Sequence, residues 1–259
     1  MTTPVEWAVV TGASSGIGEA FAKILALQGI NVVLVSRDMD ELKKVAKKLD
    51  SLSIQTEIFA GNLTQSKVVE KLYDFTTQKH INVQYLINNA GFGDYGSFAE
   101  SDLAKMESMI ALNITALTQL TKLYLADMQK QGSGRIVNLA SIASFLPGPY
   151  MAVYYATKAY VLRFSVALNE ELRDSGISVT ALCPGPTKTK FASAAKATRS
   201  AIFKDNNLPT AQDVAEFGYK AMMARKPVAV HGVRNKIMTS IAGYLPVPLT
   251  AKIVRRVQS

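Results

Sequence analysis

The chain has 259 residues, a hydrophobic fraction of 48%, one cysteine and a net charge of +9. That is enough apolar material for a sizeable core, in one large domain or two small ones. No apolar run reaches about 18 residues, so no membrane span is expected. A lone Cys183 excludes an internal disulfide and fits a reducing compartment. The start, MTTPVEWAVVTG, lacks the basic-then-apolar plan of a signal peptide, and a cytoplasmic location is expected. His80 and His231 have no partners at metal-ligand spacing, so no metal site is expected. The positive charge leaves open an anionic cofactor, nucleic acid or an anionic membrane surface. No helix-turn-helix or zinc pattern supports nucleic acid.

Short β-rich runs alternate with helical patterns. Val5–Thr11 reads as an apolar strand. Ser15–Gly29 has Ile17, Ala20, Phe21, Ile24 and Leu25 at helical spacing, and Gly29 ends it. Between them lies TGASSGIG, in which Gly12, Ser14, Ser15, Gly16, Ile17 and Gly18 open the helix. Glycines permit a tight turn there, and a helix N-terminus offers free N–H groups to a pyrophosphate. Dinucleotide binding is thus favoured over a plain strand-to-helix turn, although the spacing is G-x-x-x-G-x-G and not G-x-G-x-x-G. Asn31–Ser36 is a second buried strand, and Asp38–Leu52 a helix with Asp38 as a first-turn anion. No carboxylate stands at Ser36, and Arg37 offers a planar fork to a 2′-phosphate, favouring NADP(H). Asp38 keeps NAD(H) open as the alternative.

Ile54–Phe59 is a third strand, Thr64–Lys79 a helix and Val83–Asn88 a fourth strand. Residues 101–131 carry one long helical pattern stopped by QGSG. Arg135–Ala140 is a fifth strand, Met151–Ser175 a helix closed by Gly176, and Ile177–Cys183 a sixth strand. Residues 186–208 are aperiodic, Thr210–Arg225 is a helix and Pro227–His231 a seventh strand. Such alternation implies a parallel sheet covered on both faces, with right-handed crossovers. Residues 1–231 are expected to form one doubly wound α/β domain, and 232–259 a basic amphipathic extension of it. This tail reads as a lid, a subunit contact or a membrane-surface segment.

Tyr154 stands four residues before Lys158, so on a helix the two share a face. A nearby ammonium favours phenolate, and Tyr154 is expected to be more acidic than an ordinary tyrosine. Taken in order, TGASSGIG, NNAG at Asn88–Gly91, Asn113, Ser141, Tyr154-x-x-x-Lys158 and Pro184–Gly185 resemble the short-chain dehydrogenase/reductase family over about residues 5–231. The resemblance implies a Rossmann-like seven-stranded sheet of order 3-2-1-4-5-6-7. It implies an oxidoreductase exchanging hydride between NADP(H) and a carbonyl or alcohol, and a homodimer or homotetramer built on the 101–131 and Tyr154 helices. Tyr154 would donate the proton and Ser141 hold the carbonyl oxygen. Lys158 would lower the Tyr154 pKa and bond the ribose, and Asn113 would hold a water joining Lys158 to solvent.

By the same resemblance, Asn62, where the family has aspartate, and Leu63 would meet the adenine. Asn89, Ala90 and Gly91 would floor the adenosine. Pro184, Gly185, Thr187 and Thr189 would face the nicotinamide; Thr187 stands where the family often has an apolar residue. The substrate wall is expected from Gly93, Tyr95, Ile142, Phe145, Tyr150, Met151, Phe191 and Phe203, with Tyr155 as packing or wall. These are mostly apolar, which favours a hydrophobic ketone, aldehyde or alcohol. The alternatives are a dinucleotide-binding regulatory protein without turnover, which would be expected to lack Tyr154 or Lys158, and a membrane-associated reductase of a lipid-like substrate.

Overall fold

The computed structural model describes residues 6–195, 197 and 207–258. Seven parallel strands form one sheet of order β3-β2-β1-β4-β5-β6-β7. They are β1 Trp7–Thr11, β2 Asn31–Ser36, β3 Thr56–Ala60, β4 Val83–Asn88, β5 Gly134–Leu139, β6 Ile177–Cys183 and β7 Val228–Val230. The helices are α1 Gly16–Leu27, α2 Met39–Leu49, α3 Ser66–Gln78, α4 Leu103–Ile110, α5 Leu117–Gln131, α6 Ala152–Glu171, α7 Phe191–Ala194, α8 Ala211–Met223, α9 Val233–Ala242 and α10 Val247–Gln258.

Strand β1 pairs with β2 on one side and β4 on the other. The order of connection reverses there, which opens a crevice at the carboxyl ends of the strands. Side chains alternate between the two faces of the sheet. Ala8, Val10, Val32 and Leu34 pack with α1, α2 and α8, whereas Val9, Val33, Val35 and Leu86 pack with α3 and α5. With both faces covered, the central strands read as unbroken apolar runs.

Buried polar side chains also join the layers. Asn88 Nδ2 donates to Thr121 Oγ1 (3.0 Å) and Asn138 Oδ1 (2.9 Å), and Asn138 Nδ2 donates to Ser165 Oγ (2.9 Å). This chain ties β4 and β5 to α5 and α6. Removing one partner would leave a buried amide unsatisfied, at about 1–3 kcal/mol.

One expectation is corrected. The pattern over 101–131 is not one uniform α-helix, because a π turn at Ala111–Ala116 joins α4 to α5. That turn carries Asn113, whose buried side chain is tied to a neighbouring loop. The tail folds as two helices, α9 and α10, and Thr250, Val254 and Gln258 on one face of α10 are buried. Val254 packs in the cluster around Tyr154 and Tyr155, so the tail covers this end of the sheet. Among the described residues no helix is long and apolar enough to cross a membrane.

Candidate active site

The loop after β1 is clamped to the end of β4. Thr11 Oγ1 accepts from Asn89 N and Ala90 N (3.0 Å each) and donates to Ile87 O (3.2 Å). Asn89 Nδ2 donates to Thr11 O (2.9 Å) and Gly12 O (3.3 Å). Gly12 and Gly16 have φ of +66° and +62°, where an L side chain is strained. A Cβ on Gly12 would lie 2.7 Å from Asn89 Nδ2, and one on Gly18 would overlap the Gly12 carbonyl oxygen. Ser15 caps α1 without a side-chain bond, so the first N–H groups of α1 lack a side-chain partner.

The adjoining cleft encloses about 1230 Å³, open mouth included, and is lined by Gly12, Ser14, Ser15, Gly16, Ile17, Arg37, Asn62, Leu63, Asn89, Ala90 and Gly91. Unclaimed backbone donors beside a groove that a Cβ would fill suit a dinucleotide pyrophosphate. Arg37 is exposed at the rim, and Lys190 lines the same cleft. Asp38 precedes α2 and caps it, rather than lying in its first turn. Its Oδ1 accepts from Asp40 N (3.0 Å) and Glu41 N (3.1 Å). Asn62 Oδ1 accepts from Thr64 N (3.2 Å), which leaves one lone pair for an outside donor.

At the other end of the cleft, Ser141 caps a short 3-10 turn at Ile142–Phe145. Its Oγ accepts from Ala143 N (3.1 Å), and its N–H donates to Ser144 Oγ (3.2 Å). Ser144 Oγ donates to Lys158 O (2.7 Å), which fixes this turn to α6, the helix carrying Tyr154 and Lys158. Ser141 Oγ donates to Pro184 O (3.5 Å), and Ser141 and Tyr154 line the same pocket. The buried Lys158 donates to Leu139 O (2.6 Å), with Nζ 5.9 Å from the centroid of the Tyr154 ring. Asn113 Oδ1 accepts from Phe92 N (3.1 Å); its Nδ2 donates to Phe92 O and Thr157 Oγ1 (3.0 Å each). A Cβ on Gly91 would lie 2.9 Å from Asn113 Oδ1 and 3.5 Å from Lys158 Nζ, so those side chains meet at this glycine.

The electrostatics depart from expectation. Burial pushes the Tyr154 phenol above its ordinary value; the polar Ser141 side chain opposes this and Tyr155 adds to it. Burial also holds the Lys158 ammonium down, to about 8. The ammonium is directed at the Leu139 carbonyl, and desolvation of the ring is the larger influence on the resting phenol. The water-holding role of Asn113 is narrowed, because both amide hydrogens and one oxygen lone pair are spent. Cys183 is buried, with its thiol pushed up to about 12, which leaves it inert. Among the described residues no cluster of His, Cys, Asp and Glu could hold a metal ion.

The pocket around Tyr154 is also lined by Ile142, Met151, Pro184, Gly185, Thr187, Thr189 and Phe191. Thr187 Oγ1 donates to Gly185 O (2.9 Å), and Thr189 Oγ1 accepts from Phe191 N (3.2 Å). Gly93 abuts the pocket: a Cβ there would lie 3.0 Å from Phe191 and 3.2 Å from Met151 and Tyr154. Tyr95 stands at its edge and donates through its hydroxyl to Gln258 O (2.8 Å). Two expected wall residues are elsewhere. Phe145 packs against Leu117, Val161 and Cys183, where the 3-10 turn meets α6. Tyr150, at φ +65°, lies against Tyr95 with ring centroids 5.9 Å apart, off the pocket wall. Phe203 lies outside the described residues.

Sequence reasoning missed Gln258. It is 1% exposed, lines the pocket, and its Nε2 donates to Tyr155 Oη at 2.6 Å. Tyr155 is thus a wall residue held by the tail. The available signal was the i, i+4 series Thr250, Val254, Gln258, which marks one helix face without saying where it docks.

A family model described as short chain dehydrogenase matches residues 6–200. The very-long-chain 3-oxoacyl-CoA reductase of Rattus norvegicus is 34% identical over 198 residues, covering 74% of this chain. The match spans 63% of that relative, less than two thirds of its length. A short-chain dehydrogenase from Sphingobium yanoikuyae in complex with NADPH superposes with a TM-score of 0.82 at 30% identity, covering 92% of this chain and 93% of that one. A short-chain dehydrogenase/reductase from Burkholderia phymatum in complex with NAD gives 0.81 at 25% identity, covering 91% and 92%.

Proposed function

The chain belongs to the short-chain dehydrogenase family, an oxidoreductase family of nicotinamide dinucleotides, and on that premise we propose that it reduces a hydrophobic ketone or aldehyde with NADPH. The observation that carries this reading is the buried meeting of Ser141, Tyr154 and Lys158 at the end of a glycine-lined cleft. Gly12 to Gly18 would hold the pyrophosphate, Asn62 and Leu63 the adenine, and Thr187 and Thr189 the carboxamide. The nicotinamide, when bound, supplies the hydride.

The chain's own residues manage the proton. A neutral phenol is the form that donates, and burial keeps Tyr154 neutral at pH 7. Ser141 Oγ, in the same pocket as that phenol, orients the carbonyl oxygen beside it. Lys158, held at about 8, is still mostly charged at pH 7 and stabilises the phenolate that donation leaves. Arg37 and Lys190 at the rim favour the 2′-phosphate of NADP(H). Asp38 Oδ1 is engaged in capping α2, which ties that carboxylate to the helix start.

Exposed Leu103 and Ile110 on α4, and Tyr160 and Val166 on α6, support a homodimer across these helices. A second reading, contact with an anionic membrane surface, is favoured by the tail. Val233, Ile237, Tyr244 and Val247 are exposed there beside Arg234, Lys236 and Lys252, and no carboxylate follows Glu216.

NADPH oxidation against a panel of apolar ketones and aldehydes tests the chemistry. No turnover with any of them rejects the reductase. Fluorescence titration with NADPH and NADH tests the cofactor, and tighter NADH binding rejects the role of Arg37. Salt-sensitive binding to vesicles with anionic lipid tests the second reading.

A further inference from the structure

Behind the catalytic pocket lies a second space of about 1180 Å³, open mouth included, within the tail. Its walls are Leu146 and, from α9 and α10, Met238, Ile241, Ile253, Val254 and Val257. Ile142, Ala143, Tyr155 and Pro186 line both this space and the catalytic pocket. The two therefore adjoin across these four residues, and the Gln258–Tyr155 hydrogen bond stands at their common wall.

The chamber wall is mostly apolar, and each of its three polar side chains makes a hydrogen bond within the protein. Tyr155 Oη accepts from Gln258 Nε2, Thr250 Oγ1 donates to Val247 O (2.8 Å), and Asn235 Nδ2 donates to His231 O (2.8 Å). A polar ligand would lose its hydration there without recovering the hydrogen bonds, whereas an alkyl chain loses nothing. Unbranched alkyl is also the shape that can run from a carbonyl at Ser141 and Tyr154 past Tyr155 into a space between two helices.

We propose that the α9–α10 chamber is the binding site for the aliphatic tail of the substrate, whose carbonyl sits at Tyr154. The substrate class is then a ketone or aldehyde with a long unbranched alkyl arm. This rests on the reductase reading above, so the test includes an arm without turnover.

Isothermal titration of the full chain with 1-alkanols from hexanol to dodecanol, without cofactor, reads binding without turnover. Affinity should rise about fourfold per methylene, as for burial of a CH₂ group. The same slope should appear in kcat/KM for a series of 2-alkanones with NADPH. Ala242→Trp, which fills the chamber, should flatten both slopes. Ile253→Lys, a change at a half-exposed position that the fold tolerates, should lower both. Affinity independent of chain length, or dodecanol bound as tightly by both variants as by the parent, overturns the proposal. A slope in binding with no ketone reduced leaves the chamber standing and removes the reductase. Ketones reduced without a slope do the reverse.

Discussion

The phosphate end of the cleft is made of backbone: Gly12, Gly16 and Gly18 stand where any Cβ would strain or collide, and Thr11 and Asn89 clamp the loop with five hydrogen bonds to main-chain atoms. The opposite end is made of side chains from distant parts of the chain, with Met151 and Phe191 meeting Val254 and Gln258. The first end binds by fixed dipoles and exclusion of bulk, the second by apolar area. Fixed dipoles tolerate almost no substitution. Apolar area tolerates many, provided volume and polarity are kept.

The largest expected effect lies where the ends meet. Tyr154→Phe should reduce kcat/KM about 1000-fold, within the range for loss of a general acid, with NADPH affinity retained. Steady-state rates and fluorescence titration measure the two; unchanged kcat/KM would mean that the proton comes from another group.

Next is Lys158→Met. The ammonium titrates near 8 in the fold, against 10.5 unperturbed, so the unfolded chain binds more protons between those values and stability rises with pH across them. Below pH 8 its burial costs about 3 kcal/mol, against about 1 kcal/mol for its bond to Leu139 O. The variant should thus unfold at higher urea than the parent at pH 7, lose activity, and lose its stability advantage by pH 10. A variant less stable at pH 7 would show that the lysine is better solvated than its burial implies.

Gly18→Ala tests the backbone-built end. Overlap with the Gly12 carbonyl should cost about 1–3 kcal/mol and weaken NADPH binding. Ile237→Ala, on the exposed face of α9, should change stability by less than about 0.5 kcal/mol. Equal urea midpoints for the two variants would erase the contrast between the ends. The smallest of the binding effects is Arg37→Ala: because the side chain is exposed, about tenfold weaker NADPH is expected, with NADH unchanged.

The backbone-built end was readable because its constraints are local. Gly12, Gly16 and Gly18 lie within seven residues, and the alternation of strands and helices gave the sheet with its strands displaced by at most two residues, among those described. Ser141, Tyr154 and Lys158 were readable for a related reason: a strand end and one helix face place them. The errors came where side chains answer to distant partners. Asn113, in the π turn, bonds Phe92 and Thr157, and Phe145 packs in the cluster that holds Val161 and Leu162 of α6.

Residue order alone determined the parallel sheet, the glycine loop and the shared helical face of Tyr154 and Lys158, because each follows from period, spacing or the absence of a Cβ. Only the folded molecule decided the protonation balance of that pair and the docking of Gln258 onto Tyr155. Desolvation depends on everything packed around a group, and a contact spanning 103 residues leaves no local pattern in the chain.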